Sequence, residues 1–135
     1  MATKTFINLA VKDLPETRNF FHALGFNFNE QFSNENGACM IISEESYVML
    51  LQEVFFKEFT KNELADARKV TEVLIALSFD SKEEVNSILE KAIELGAKEA
   101  REPQDHGFMF ARSFHDLDGH IWEIFWMNMS EVPQQ

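Results

Sequence analysis

Apolar and polar positions follow the same order twice along this chain. Ile7-Asn8-Leu9-Ala10-Val11 alternates weakly and leads through Asp13 into a stretch with helical spacing that stops at Gly25. Ile75-Ala76-Leu77-Ser78-Phe79 leads through Asp80 into a second such stretch that stops at Gly96. Short alternating runs read as strands, and stripes at a spacing of three to four read as helices. In the first helical stretch Phe20, Phe21 and Leu24 form the apolar stripe; in the second, Val85, Ile88, Leu89, Ala92 and Leu95 do. Asp13 with Glu16, and Ser81 with Glu84, are N-terminal capping pairs, and Gly25 and Gly96 suit the left-handed backbone that ends a helix.

Three further strands follow each helix. Residues 26–33, 38–43 and 47–52 fill the first half, with Asn34-Glu35-Asn36-Gly37 as a turn. Residues 98–102, 108–115 and 120–127 fill the second, with Asp116-Leu117-Asp118-Gly119 as a turn. Between the halves, Phe55, Phe56 and Phe59 alternate with charges, which predicts an amphipathic helix or lid over 53–68. The tail after Met129 is expected to fray. Repetition at this length means one supersecondary unit used twice. The expected class is α+β: two tandem βαβββ modules, about 1–53 and 71–130, joined by a linker at about 54–70. Their mixed sheets form an open cup with the helices outside. Concave apolar faces of this kind bind small molecules.

Composition narrows the partners. The chain has 135 residues and 45% hydrophobic content, enough for a core, and a net charge of −11 with its basic residues scattered. Nucleic acid is therefore excluded as a partner. The single cysteine, Cys39, permits no internal disulfide and suits a reducing, cytoplasmic setting. The opening residues lack the apolar core of a secretion signal, and no apolar run is long enough to cross a bilayer. Exposed sheet edges and apolar faces predict a homodimer, with the Phe55–Phe59 segment contributing.

The chemistry is sparse. No phosphate-cradling glycine loop, Ser-His-Asp order or Cys-His pair is present. If residues 116–119 close a symmetric hairpin, His115 faces His120, Arg112 faces Glu123 and Phe110 faces Phe125. Arg112 and Glu123 then form an ion pair that is either a satisfied core pair or an anchor for a polar ligand. Phe6, Asn8, Phe110 and Phe125 are expected to share the Glu123 face and make it aromatic. His115 and His120 flank the turn as a possible but incomplete metal pair; His22 and His106 read as a helix-surface residue and a loop residue.

The stretch Asp116-Leu117-Asp118-Gly119-His120-Ile121-Trp122-Glu123, with the doubled architecture, resembles the vicinal oxygen chelate superfamily. That superfamily includes glyoxalase I, extradiol dioxygenases, and fosfomycin- and bleomycin-resistance proteins. The likeness runs from Phe6 to Met127 and extends to small bacterial proteins similar to lactoylglutathione lyases. In metal-bearing members four strands each aim a His or Glu at the cup. The resemblance carries those positions to Phe6, Leu50, Leu74 and Glu123. Three of the four are apolar, and one carboxylate cannot hold a divalent ion. The resemblance thus implies a protein without metal or cofactor that binds a small apolar or aromatic molecule through Phe6, Asn8, Leu50, Leu74, Phe110, Arg112 and Phe125. The alternative it leaves open is a lyase, isomerase or dioxygenase with an unorthodox metal site, or an acid–base catalyst, acting through Glu123.

Overall fold

The computed structural model describes residues 3–131. The chain divides between Ala65 and Asp66 into two compact units. The first holds β1 (Thr5–Val11), α1 (Leu14–Ala23), β2 (Asn27–Asn29), β3 (Gly37–Ile41), β4 (Ser46–Gln52) and α2 (Glu53–Phe56). The second holds β5 (Leu74–Ser78), α3 (Lys82–Glu94), β6 (Lys98–Asp105), β7 (Met109–His115) and β8 (Ile121–Met127). The sheets are four-stranded and open, in the orders β1-β4-β3-β2 and β5-β8-β7-β6. In each, the strand before the long helix pairs in parallel with the last strand of its unit, and the remaining pairs are antiparallel. The doubled βαβββ order expected from the repeat is the observed one.

Both long helices begin and end where the sequence places them. Glu16 N–H donates to the Asp13 carboxylate at 3.0 Å, and Glu84 N–H donates to the Ser81 hydroxyl at 3.0 Å. Past their ends, Gly25 and Gly96 hold φ of 106° and 110°. Each helix covers one face of its own sheet. In the first unit Phe20 and Phe21 are buried with Leu9, Val11, Met40, Val48 and Leu50. In the second, Val85, Leu89 and Ala92 are buried with Ile75, Phe114, Trp122 and Ile124.

Local polar chemistry reshapes three segments. The strand expected over 26–33 shortens to Asn27–Asn29. There the Asn29 side chain accepts from Gln31 N–H and its carbonyl accepts from Ser33, which starts a 3₁₀ turn over Glu30–Phe32. The helix or lid expected over 53–68 is one helical turn, Glu53–Phe56, followed by a 3₁₀ turn, Lys57–Phe59. Beyond it Thr60 bonds Asn62 N–H and Asp66 bonds Arg68 N–H, side-chain bonds that compete with helix. Strand β6 runs on to Asp105, with register breaks either side of Arg101. Residues 129–131 form a 3₁₀ turn, and the rest of the tail lies outside the described residues.

The β7–β8 connection corrects the expected hairpin. Gly119 N–H bonds Asp116 O at 3.0 Å, Asp116 N–H bonds His120 O at 2.9 Å, and Gly119 takes φ of 94°. This is a turn followed by a left-handed glycine, which adds one residue to the loop. Strand pairing then begins at His115 opposite Ile121, not His120. A slip of one residue exchanges the faces of a strand. Arg112 consequently lies opposite Ile124, and Phe110 opposite Trp126, on the face that α3 covers. Arg112 donates to Glu99 at 2.9 Å and to Asn86 of α3 at 2.9 Å. The expected Arg112–Glu123 pair does not form.

Gly25 and Gly119 separate two costs of adding a Cβ. A Cβ on Gly25 meets nothing within 4 Å, whereas one on Gly119 lies 2.7 Å from the backbone nitrogen of Arg68 and 2.9 Å from the carbonyl carbon of Ala67. Gly25→Ala is expected to cost about 1 kcal/mol from its backbone conformation alone. Gly119→Ala adds overpacking and is expected to cost roughly 3 kcal/mol or more in denaturant unfolding. Arg112→Ala strands Glu99 and Asn86 and is expected to cost about 2 kcal/mol by the same measurement.

Candidate functional site

The face of the second sheet away from α3 is set by the corrected register. Leu74, Ala76 and Ser78 on β5 lie beside Ile121, Glu123 and Phe125 on β8. Across β8, Ile121, Glu123 and Phe125 lie opposite His115, Ser113 and Ala111 on β7. Across β7, Ser113 lies opposite Arg101 on β6. One polar row therefore crosses three strands, Arg101, Ser113 and Glu123, with Leu74, Ala76, Ala111, Ile121 and Phe125 as the apolar positions around it. An Arg101 amino group sits 3.5 Å from a Glu123 carboxylate oxygen, and the Arg101 side chain is 55% exposed. Such a pair contributes little to stability and leaves both groups free to exchange partners. The Ser113 hydroxyl is buried and has no hydrogen-bond partner among the described residues. An unpaired buried hydroxyl is uncommon and points to a missing partner.

In the first unit, Phe6 and Asn8 on β1 lie beside Tyr47 and Met49 on β4, on the face away from α1. Phe6 stacks on Tyr47 with ring centroids 4.9 Å apart and remains 51% exposed. Leu50 does not join them. It pairs with Leu9 and Ala38 and is fully buried beneath the helix. The apolar run Val48-Met49-Leu50-Leu51 has no alternation from which its faces could be told apart. Met49 takes the place expected of Leu50. Matching the paired strands of the two units sets Met49 where the second unit has Glu123.

Of the residues expected on the site faces, Phe6, Asn8, Leu74, Glu123 and Phe125 lie on the open faces of their sheets. Leu50, Phe110 and Arg112 lie on the helix faces. Phe110 instead packs near the Lys82 ammonium, 5.8 Å from its ring centre. Arg101 and Ser113 escaped the sequence reading. The signal for Ser113 was a small polar residue inside a strongly apolar strand. For Arg101 there was none, because the register breaks on β6 decouple position from face.

The donor set does not fit a divalent metal. In the first unit Phe6, Asn8, Tyr47 and Met49 supply no carboxylate or imidazole, and in the second Leu74, Ala76 and Ile121 supply no donor beside the single carboxylate of Glu123. Among the described residues no three His, Cys, Asp or Glu side chains are grouped closely enough to share an ion. His115 is committed to the turn, its Nδ1 lying 3.1 Å from Gly119 O. Asp116 is committed too. Its carboxylate accepts from Asp118 N–H, His120 N–H and Trp122 Nε1–H at 2.9, 3.0 and 2.9 Å. Burial pushes its carboxyl up from the ordinary value, against the opposing pull of His120 and of these donors. Burial also raises the Cys39 thiol, which disfavours the reactive thiolate. Among the described residues no helix is long and apolar enough to cross a membrane.

Comparison with known proteins places this geometry. The structure of a hypothetical protein from S. aureus is 27% identical, with a TM-score of 0.80, over 93% of this chain and 95% of that one. A glyoxalase/bleomycin resistance protein/dioxygenase family enzyme from Burkholderia phytofirmans PsJN is 16% identical, with a TM-score of 0.76, over 93% and 99% of the two chains. A fosfomycin resistance protein from Listeria monocytogenes is 20% identical, with a TM-score of 0.68, over 97% and 98%. The last two likenesses are of fold. No curated protein matches the sequence. Residues 5–124 match the family described as the Glyoxalase/Bleomycin resistance protein/Dioxygenase superfamily, and the chain belongs to that superfamily.

Proposed function

We propose that this chain binds a small molecule with an apolar or aromatic body and one polar group, without a metal ion. The observation that carries the reading is the row Arg101–Ser113–Glu123 on the sheet face away from α3, where an exposed guanidinium and a part-buried carboxylate flank a buried hydroxyl. Its serine hydroxyl lacks a partner, and its ion pair is loose enough to open. Phe125, Leu74 and Ile121 flank that row and supply contact area, and Leu74 is 54% exposed. In the first unit the exposed Phe6 ring and Asn8 present a similar surface. Glu123 accepts a hydrogen bond from a ligand N–H or O–H, Arg101 donates to a ligand oxygen, and Ser113 does either. Binding and sequestration need nothing more than these contacts. The single carboxylate disfavours the metal-assisted chemistries that the superfamily name includes. We further propose a cytoplasmic homodimer that covers the exposed edges of both sheets.

Native mass spectrometry of protein purified without chelator tests the reading. It is expected to show a small organic adduct, and elemental analysis after dialysis is expected to show substoichiometric metal. Stoichiometric zinc, nickel or iron would refute it. Glu123→Gln and Ser113→Ala are expected to weaken retention of the adduct by roughly tenfold each, about one hydrogen bond. Neither is expected to lower stability by more than about 1 kcal/mol, since the Glu123 pair is solvated. Light scattering is expected to give twice the mass of the chain, and a monomer at high concentration would refute the dimer.

A further inference from the structure

A cavity of about 430 Å³ opens beside the β7–β8 turn of the second unit. Arg68, Lys98 and His115 line it, together with Gly96, Asp116, Leu117 and Gly119. In a chain with a net charge of −11, an arginine and a lysine converge with a histidine on one hollow. Among the described residues, neither Arg68 nor Lys98 joins an ion pair with a carboxylate. The one acid in the lining, Asp116, is buried and spends its oxygens on three donors of its own turn.

The hollow is held in shape before any ligand arrives. Arg68 Nη2 donates to Leu117 O at 2.7 Å, which fixes the guanidinium at the rim and leaves its other donors unused. The backbone of 67–68 lies directly against Gly119, where a side chain would collide with it. His115 Nδ1 donates to Gly119 O at 3.1 Å, which leaves Nε2 available to a ligand.

We propose that this cavity binds the phosphate group of a small molecule. The three bases come from three separate chain segments. That arrangement suits a tetrahedral group with several exposed oxygens better than a planar carboxylate. Arginine and lysine are both established phosphate donors, one as a fork and one as a point charge. His115 Nε2 accepts from a P–OH when the ring is neutral and donates to a P–O⁻ when it is protonated. The volume falls within the range of about 300–1,000 Å³ usual for small-molecule sites, leaving room for the rest of the ligand. The site is independent of the Arg101–Ser113–Glu123 row, none of whose members lines it.

Amide NMR of the full chain, titrated with inorganic phosphate at neutral pH, tests the proposal. Sodium acetate and sodium chloride at equal ionic strength serve as comparisons. Phosphate alone is expected to give saturable shifts at Gly96, Leu117 and Gly119. Among the described residues the Lys98 side chain makes no hydrogen bond or ion pair, and its backbone pairing with His115 does not depend on the ammonium, so Lys98→Gln is expected to weaken the response roughly tenfold while the spectrum stays folded. Lys61→Gln, a charge-matched change outside the cavity, is expected to leave it unchanged. Absence of saturable shifts, an equal response to acetate, or wild-type binding by Lys98→Gln would each overturn the assignment.

Discussion

The Asp116 carboxylate decides the chemistry of the second unit without touching a ligand. It gathers two amides of its own loop and the Trp122 indole, and with Gly119 in a left-handed conformation it folds a loop of five residues. That count fixes the register of β7 on β8. With it, Ser113 lies beside Glu123, and Arg112 is sent to the helix side. A four-residue loop would have put the guanidinium and the carboxylate together. Because the indole of Trp122 is itself fully buried against the helix side, the loop is tied to the core and not to solvent. The cost of leaving a buried indole N–H or carboxylate unpaired holds this arrangement in place.

Arg112 shows how a charge is accommodated on a helix-covered face. Its guanidinium is shared by Glu99 on the neighbouring strand and Asn86 on α3, so its donors are engaged inside the fold. Glu123 is the opposite case. Its arginine is exposed and distant enough to be displaced, and the hydroxyl between them is unsatisfied. A satisfied network is structural; an unsatisfied one on an open face is where a ligand gains most by binding. The first unit carries Met49 where the second carries Glu123, so the repeat has kept the scaffold in both halves and a carboxylate at this position in one.

Much of the scaffold was legible in the sequence because its signals are local. Asp13 with Glu16, Ser81 with Glu84, and the glycines after each helix state where helices start and stop, and the structure uses all of them. The doubled order of elements followed from the repeat. What was not legible depends on counts and parities that no local signal fixes. The run of four apolar residues on β4 hid which side Leu50 faces. The extra residue contributed by Gly119 reversed the faces of Phe110 and Arg112. Register breaks around Arg101 concealed its arrival beside Ser113.

The register of β7 on β8 is the claim on which the site rests, and cross-strand nuclear Overhauser effects measure it directly. The account predicts contacts pairing Ser113 with Glu123, Arg112 with Ile124 and His115 with Ile121. Contacts pairing Arg112 with Glu123 and Phe110 with Phe125 would contradict it and return the guanidinium to the ligand face.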